Sequence, residues 1–150
     1  MNKQGNRNVG GYVHYDKNVK IKTLQALAFD AFGNEIKKIR KGDFKDASAV
    51  DGGTLYSDSR VKYLEYTPIS YPYTVVFESE YKTSTTGFIP WWLPINGYYV
   101  SVEKGQYSIK NPTGIHFRKK EINFEGFSIE SANSDSEISY TITNQKAFKY

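Results

Sequence analysis

The stretch Val19-Lys20-Ile21-Lys22-Thr23-Leu24-Gln25-Ala26-Leu27-Ala28-Phe29-Asp30-Ala31-Phe32-Gly33-Asn34-Glu35-Ile36-Lys37-Lys38-Ile39-Arg40 decides the fold class. Gln25, Leu27, Phe29 and Ala31 alternate with Leu24, Ala26, Ala28 and Asp30, which is the period of two that a strand imposes on its side chains. Val19 to Ala31 therefore reads as one long strand. Both of its faces are largely apolar, so the expectation is a strand covered on both sides. Helix stays open as the alternative for this alanine-containing stretch. Phe32-Gly33-Asn34 then supplies turn chemistry and Glu35 to Arg40 resumes as a second strand, so the pair predicts a hairpin.

Working outward, the same alternation returns at Val61–Tyr66. It is clearest where Tyr73, Val75, Phe77, Ser79 and Tyr81 share a face opposite Thr74, Val76, Glu78 and Glu80. Shorter strands are expected near Tyr98–Glu103, Gln106–Lys110, Ile115–Lys119, Phe127–Glu130 and Glu137–Thr143. Turn signals separate them at Gly105, Asn111-Pro112, Gly126 and Asn133-Ser134. Asp43 to Arg60, dense in Asp, Ser and Gly, reads as a long ordered loop holding one short strand. Phe88 to Pro94 is apolar, but Pro90 and Pro94 bracket it and exclude a central strand. Residues 1–12 read as a flexible or truncated hairpin end, and 13–150 as a single all-β domain, a two-sheet β-sandwich.

Composition supports strands and narrows the chemistry. Thirteen Tyr and nine Phe stand against a single Met, and aromatic and β-branched residues favour pleated, half-buried surfaces. A chain of 150 residues can bury enough surface to stand without a disulfide or metal staple. Cysteine is absent, which removes disulfides, thiolate zinc sites and thiol catalysis together. The net charge of +4 is spread along the chain. Its densest basic runs, Lys37-Lys38-Ile39-Arg40-Lys41 and Arg118-Lys119-Lys120, lie beside no nucleic-acid motif, so no nucleic-acid partner is expected. No apolar run reaches the length of a membrane span and no signal-peptide pattern opens the chain; membrane insertion by this chain is not expected.

Tests for catalytic constellations fail one by one. His14 and His116 are about a hundred residues apart, and no Gly-x-Ser-x-Gly elbow supplies an activated serine for either. Asp43, Asp46, Asp51 and Asp58 crowd the irregular loop, but their spacing matches no calcium loop, and Asp in turns bonds to nearby backbone without a metal. Asp51-Gly52-Gly53-Thr54 lacks the spaced glycines and lysine of a phosphate-binding loop. The expectation is no catalytic residue, no metal and no cofactor. What remains is Ile89-Pro90-Trp91-Trp92-Leu93-Pro94. Two adjacent tryptophans point to opposite sides if the chain is extended, which allows one to be core and the other an exposed contact; structural packing of both, a docking surface and glycan stacking all stay open. Trp91, Trp92, Tyr98 and Tyr99 are accordingly the candidate binding residues.

Ala26 to Ile39, with Asp30-Ala31-Phe32-Gly33-Asn34-Glu35-Ile36-Lys37-Lys38, resembles the opening hairpin of a bacterial domain family of unknown function that precedes transglutaminase-like cores in envelope proteins. The likeness continues through Asp43-Phe44-Lys45-Asp46, Asp51-Gly52-Gly53-Thr54-Leu55-Tyr56-Ser57-Asp58-Ser59-Arg60-Val61 and Tyr71-Pro72-Tyr73-Thr74-Val75. It ends with Pro90-Trp91-Trp92-Leu93-Pro94 and Ser101-Val102-Glu103-Lys104, and so spans roughly residues 13 to 110. The resemblance implies an immunoglobulin-like sandwich and a periplasmic or cell-envelope location. It also implies that a Cys-His-Asp set belongs to the following core rather than to this domain. The family usually begins with another strand ahead of Asn2-Lys3-Gln4-Gly5, which implies a start inside a hairpin. The expected role is a non-catalytic scaffold or docking domain whose partners are downstream domains of the same polypeptide. The alternative is a glycan- or peptide-binding module built on the exposed aromatics.

Overall fold

The computed structural model describes residues 3–49, 58–85, 89–95, 97–111, 113 and 118–149. About 48% of these residues lie in strands, there is no α-helix among them, and all strand pairing is antiparallel. The nine strands are β1 (Tyr12–Tyr15), β2 (Val19–Phe29), β3 (Glu35–Arg40), β4 (Lys45–Ser48), β5 (Arg60–Tyr63), β6 (Thr74–Thr83), β7 (Val102–Lys110), β8 (Ile129–Asn133) and β9 (Glu137–Gln145). They form three small sheets with strand orders β1-β5-β4, β3-β2-β6 and β7-β9-β8. The sequence reads 13–150 as one domain; the packing gathers the chain into two compact units, Met1–Ile89 and Pro90–Tyr150.

In the first unit, β2 is the central strand of its sheet. Its Leu24, Ala26 and Ala28 face is buried, and the small alanines sit directly opposite the larger Phe77 and Val75 of β6. Pairing large with small lets the face fill without strain. Val13 from β1, Leu24 and Ala26 from β2, Ile39 from β3, and Phe44 and Leu64 beside β4 and β5 form one buried cluster, so two sheets contribute to a single core. The other β2 face corrects the expectation of two covered sides: Thr23, Gln25, Leu27 and Phe29 are only half-buried.

The predicted β2–β3 hairpin is present. Its turn is held by Asp30, whose carboxylate accepts the backbone N–H of Phe32 (2.8 Å) and of Asn34 (2.9 Å) and the Asn34 side-chain amide (2.9 Å). Gly33 takes a φ of +85°, a region costly for any residue with a Cβ. Gln4–Asn8 form a 3-10 helix, and the Tyr73 hydroxyl donates to the Asn6 side-chain oxygen. Among its described residues, the loop expected over Asp43–Arg60 contains the short strand β4 and ends at Arg60, where β5 begins.

In the second unit, Gly105, a turn signal in the sequence, does not separate two strands. It lies inside a single strand, β7, paired with Ile142. The missing Cβ serves close approach rather than a bend, since one built there would sit 3.1 Å from the Ile142 Cγ2. Arg118 and Lys119, expected to close a strand, are described outside any strand. Ile115–Phe117, the Asp51–Ser57 piece and Phe88 lie outside the described residues.

Candidate functional site

The Pro90–Pro94 segment carries no strand pairing, as its two prolines dictate. Its side chains nonetheless alternate: Trp91 and Leu93 are 87% and 74% exposed, while Trp92 and Pro94 are half-buried. Trp92 lies against a cross-strand pair of tyrosines. Tyr107 on β7 and Tyr140 on β9 are in register, and the indole stacks on both, with centroids 6.3 and 5.9 Å away and interplanar angles of 18° and 24°. The Tyr107 hydroxyl donates to the Pro90 carbonyl at 2.7 Å, fixing the start of the segment to the sheet. One tryptophan thus anchors the segment and holds its neighbour outward. Tyr98 and Tyr99 are exposed as well, and the Tyr99 N–H donates to the Phe148 carbonyl at 2.8 Å.

Tyr140 is the hub of this packing. Phe124 meets its ring edge-on at 5.6 Å, and the Lys119 ammonium lies 5.4 Å from the ring centroid. Its hydroxyl donates to Glu121 Oε1 (2.5 Å) and accepts from Lys119 Nζ (3.0 Å), while Lys119 and Glu121 pair at 2.9 Å. The Tyr140 hydroxyl, then the Lys119 ammonium, hold the Glu121 carboxyl below its ordinary value; the same contacts raise Lys119.

Of the acidic residues singled out in the sequence, the three that are described, Asp43, Asp46 and Asp58, form no metal-binding cluster. Asp43 accepts the Arg40 backbone N–H at 2.9 Å and Asp58 accepts that of Lys17 at 3.3 Å. Asp46 accepts the Tyr15 hydroxyl (2.7 Å), pairs with Arg60 (2.9 Å) and pairs with Lys62 (3.1 Å). That set, foremost the Tyr15 hydroxyl, lowers the Asp46 carboxyl to about 2. This network joins β1, β4 and β5, and sequence reasoning missed it, because the register that brings Asp46 opposite Lys62 is not written in either strand alone. Asp51 lies outside the described residues. Among the described residues no group of three or more His, Asp or Glu could hold a metal ion. His14 is exposed on β1, edge-on to Tyr12 at 5.5 Å. His116 lies outside the described residues.

The family model described as a domain of unknown function, DUF3857, matches residues 1–149. The chain belongs to this family. Neither curated proteins nor solved structures gave a match. Within this DUF3857 domain, among the described residues, no helix is long and apolar enough to cross a membrane. The surface-directed Trp91, set on a segment that Trp92 fastens to its own sheet, is the feature on which a functional reading of the DUF3857 chain turns.

Proposed function

We propose that this chain is a non-catalytic docking domain of a larger bacterial envelope protein, in the periplasm, ahead of a transglutaminase-like core. The observation that carries the reading is the split of the two tryptophans: Trp92 is used in packing, while Trp91 and Leu93 face solvent on a proline-stiffened segment. A large apolar side chain held rigidly outward is the form that binding hot spots take, because little conformational freedom is left to lose on docking. The ordered sequence likeness from the Ala26–Ile39 hairpin to Lys104 supports the placement beside such a core. The absence of cysteine accords with a domain that leaves thiol chemistry to another part of the polypeptide.

The test is Trp91→Ala in the chain and in its full-length parent, read by hydrogen exchange over Pro90–Pro94 and by limited proteolysis of the parent. Docking requires unchanged stability of the chain together with faster exchange and cleavage in the parent. An unchanged parent sinks the reading. If the parent is unchanged but Trp91→Ala abolishes retention of the chain on peptidoglycan or an oligosaccharide matrix, the glycan-binding alternative takes its place.

A further inference from the structure

The outward face of the β3-β2-β6 sheet carries a second pattern, independent of the tryptophan segment. The register sets Lys38, Leu27 and Val76 in one row across the three strands, and Arg40, Gln25 and Glu78 in the next; Thr23 and Glu80 follow. Phe29 extends the apolar end beside Thr74. Leu27 and Phe29 are half-buried, and Val76 is 49% exposed. The β3 edge of this face is therefore basic, with Lys38 and Arg40, and the β6 edge is acidic, with Glu78 and Glu80. All four are exposed, and none forms an ion pair among the described residues. Among the described residues, Glu78 and Glu80 accept from their β2 neighbours, Gln25 (2.6 Å) and Thr23 (3.3 Å).

We propose that this face is a self-complementary dimerisation surface whose occupant is a second copy of the same chain, related by a twofold axis running along β2. Rotation about that axis lays β2 over β2, β3 over the partner's β6, and β6 over the partner's β3. The apolar end then meets its own copy, with Leu27 and Phe29 nearest the axis. Each basic edge lies over an acidic edge, and the Lys38 stem covers Val76 of the other copy. A twofold across the strands instead stacks basic edge on basic edge, so the charges select the first arrangement. The patch ends at the register shift between Ile21 and Thr23, beyond which Lys20 and Lys82 oppose each other across the sheet.

Three strands ~4.8 Å apart and about seven residues long bury roughly 300–400 Å² per copy at the face, which places the dimer in the weak, reversible class. It should form at high micromolar concentration and weaken as salt screens the edge charges.

Sedimentation equilibrium of the 150-residue chain at up to about 1 mM, in low and high salt, gives the first test. The decisive one uses Arg40→Glu and Glu78→Arg, both at exposed positions, with thermal melts to show that each variant is folded. Each variant alone should dimerise about tenfold more weakly, because like charges now face each other twice per interface. Mixing the two should restore association as a heterodimer. The two substituted side chains then face each other with opposite charge at one contact, and the native Arg40 and Glu78 face each other at the contact related by the twofold. A chain that stays monomeric throughout, single variants that dimerise like the wild type, or a mixture no tighter than its components would each overturn the proposal.

Discussion

The indole of Trp92 lies 24° from parallel to the Tyr140 ring, with 5.9 Å between centroids, and Tyr140 itself is almost fully buried. Removing Trp92 therefore uncovers the centre of the second unit, whereas Trp91 already faces solvent. Trp92→Ala should cost about 2–3 kcal/mol, somewhat less than a fully buried aromatic. Trp91→Ala should stay within about 0.5 kcal/mol, as surface changes do. Urea denaturation of the two variants checks the contrast, and equal losses would show that both tryptophans are structural.

Gly11 and Phe77 define a second tight contact. A Cβ at Gly11 would fall 2.7 Å from the Phe77 Cγ, and the ring, half-buried against the core and tilted against Phe44 at 6.1 Å, has little room to retreat. Gly11→Ala should destabilise by about 1–3 kcal/mol through overpacking. A companion Phe77→Leu change should recover part of the loss, because the two substitutions share one space. Thermal melts of the single and double variants measure the coupling; strictly additive losses would place the strain elsewhere.

Asp46 sets an acid dependence. Its carboxyl is held at about 2 by the Tyr15 hydroxyl and by Lys62 and Arg60, below its value of about 3.9 in an unfolded chain. A carboxyl lowered by folding contributes stability that is present above the unfolded value and is lost as pH falls toward the folded one. Asp46→Asn should therefore lower the melting temperature at neutral pH, and its deficit should shrink between about pH 4 and pH 2. Melts across that range decide it: a deficit constant down to about pH 2 would assign the effect to packing alone.

What could be read in advance follows from how far a signal reaches along the chain. The β2–β3 hairpin was legible because its period of two and its Phe32-Gly33-Asn34 turn are local. The opposite fates of Trp91 and Trp92 were legible for the same reason, since alternation needs only adjacent residues. β1 was missed because four residues carry too few periods to stand out. Gly105 misled because glycine has two uses, turning a chain and admitting a neighbour, and only the position of Ile142 distinguishes them. The Tyr107–Tyr140 bed beneath Trp92 was out of reach: it depends on a register between strands far apart in the chain, and no local pattern encodes register.

The hairpin turn permits a prediction in which geometry and charge can be separated. Asp30 accepts three hydrogen bonds from Phe32 and Asn34, and foremost the Asn34 side chain and N–H lower its carboxyl below the ordinary value. Asp30→Ala should destabilise the fold at neutral pH, and the difference from wild type should narrow as pH falls through the carboxylate range, because protonation removes the same interaction. Gly33 acts through the backbone instead. Nothing lies within 4 Å of a Cβ built there, so any cost of substitution comes from its φ of +85°. Gly33→Ala should cost about 1 kcal/mol at every pH, and Gly33→Asn less, since Asn tolerates left-handed backbone better. Chemical denaturation of the three variants at about pH 7 and pH 3 separates the two mechanisms. A Gly33→Ala loss that varies with pH, or an Asp30→Ala loss that does not, would show that the turn is held by something other than the Asp30 clamp and the glycine backbone.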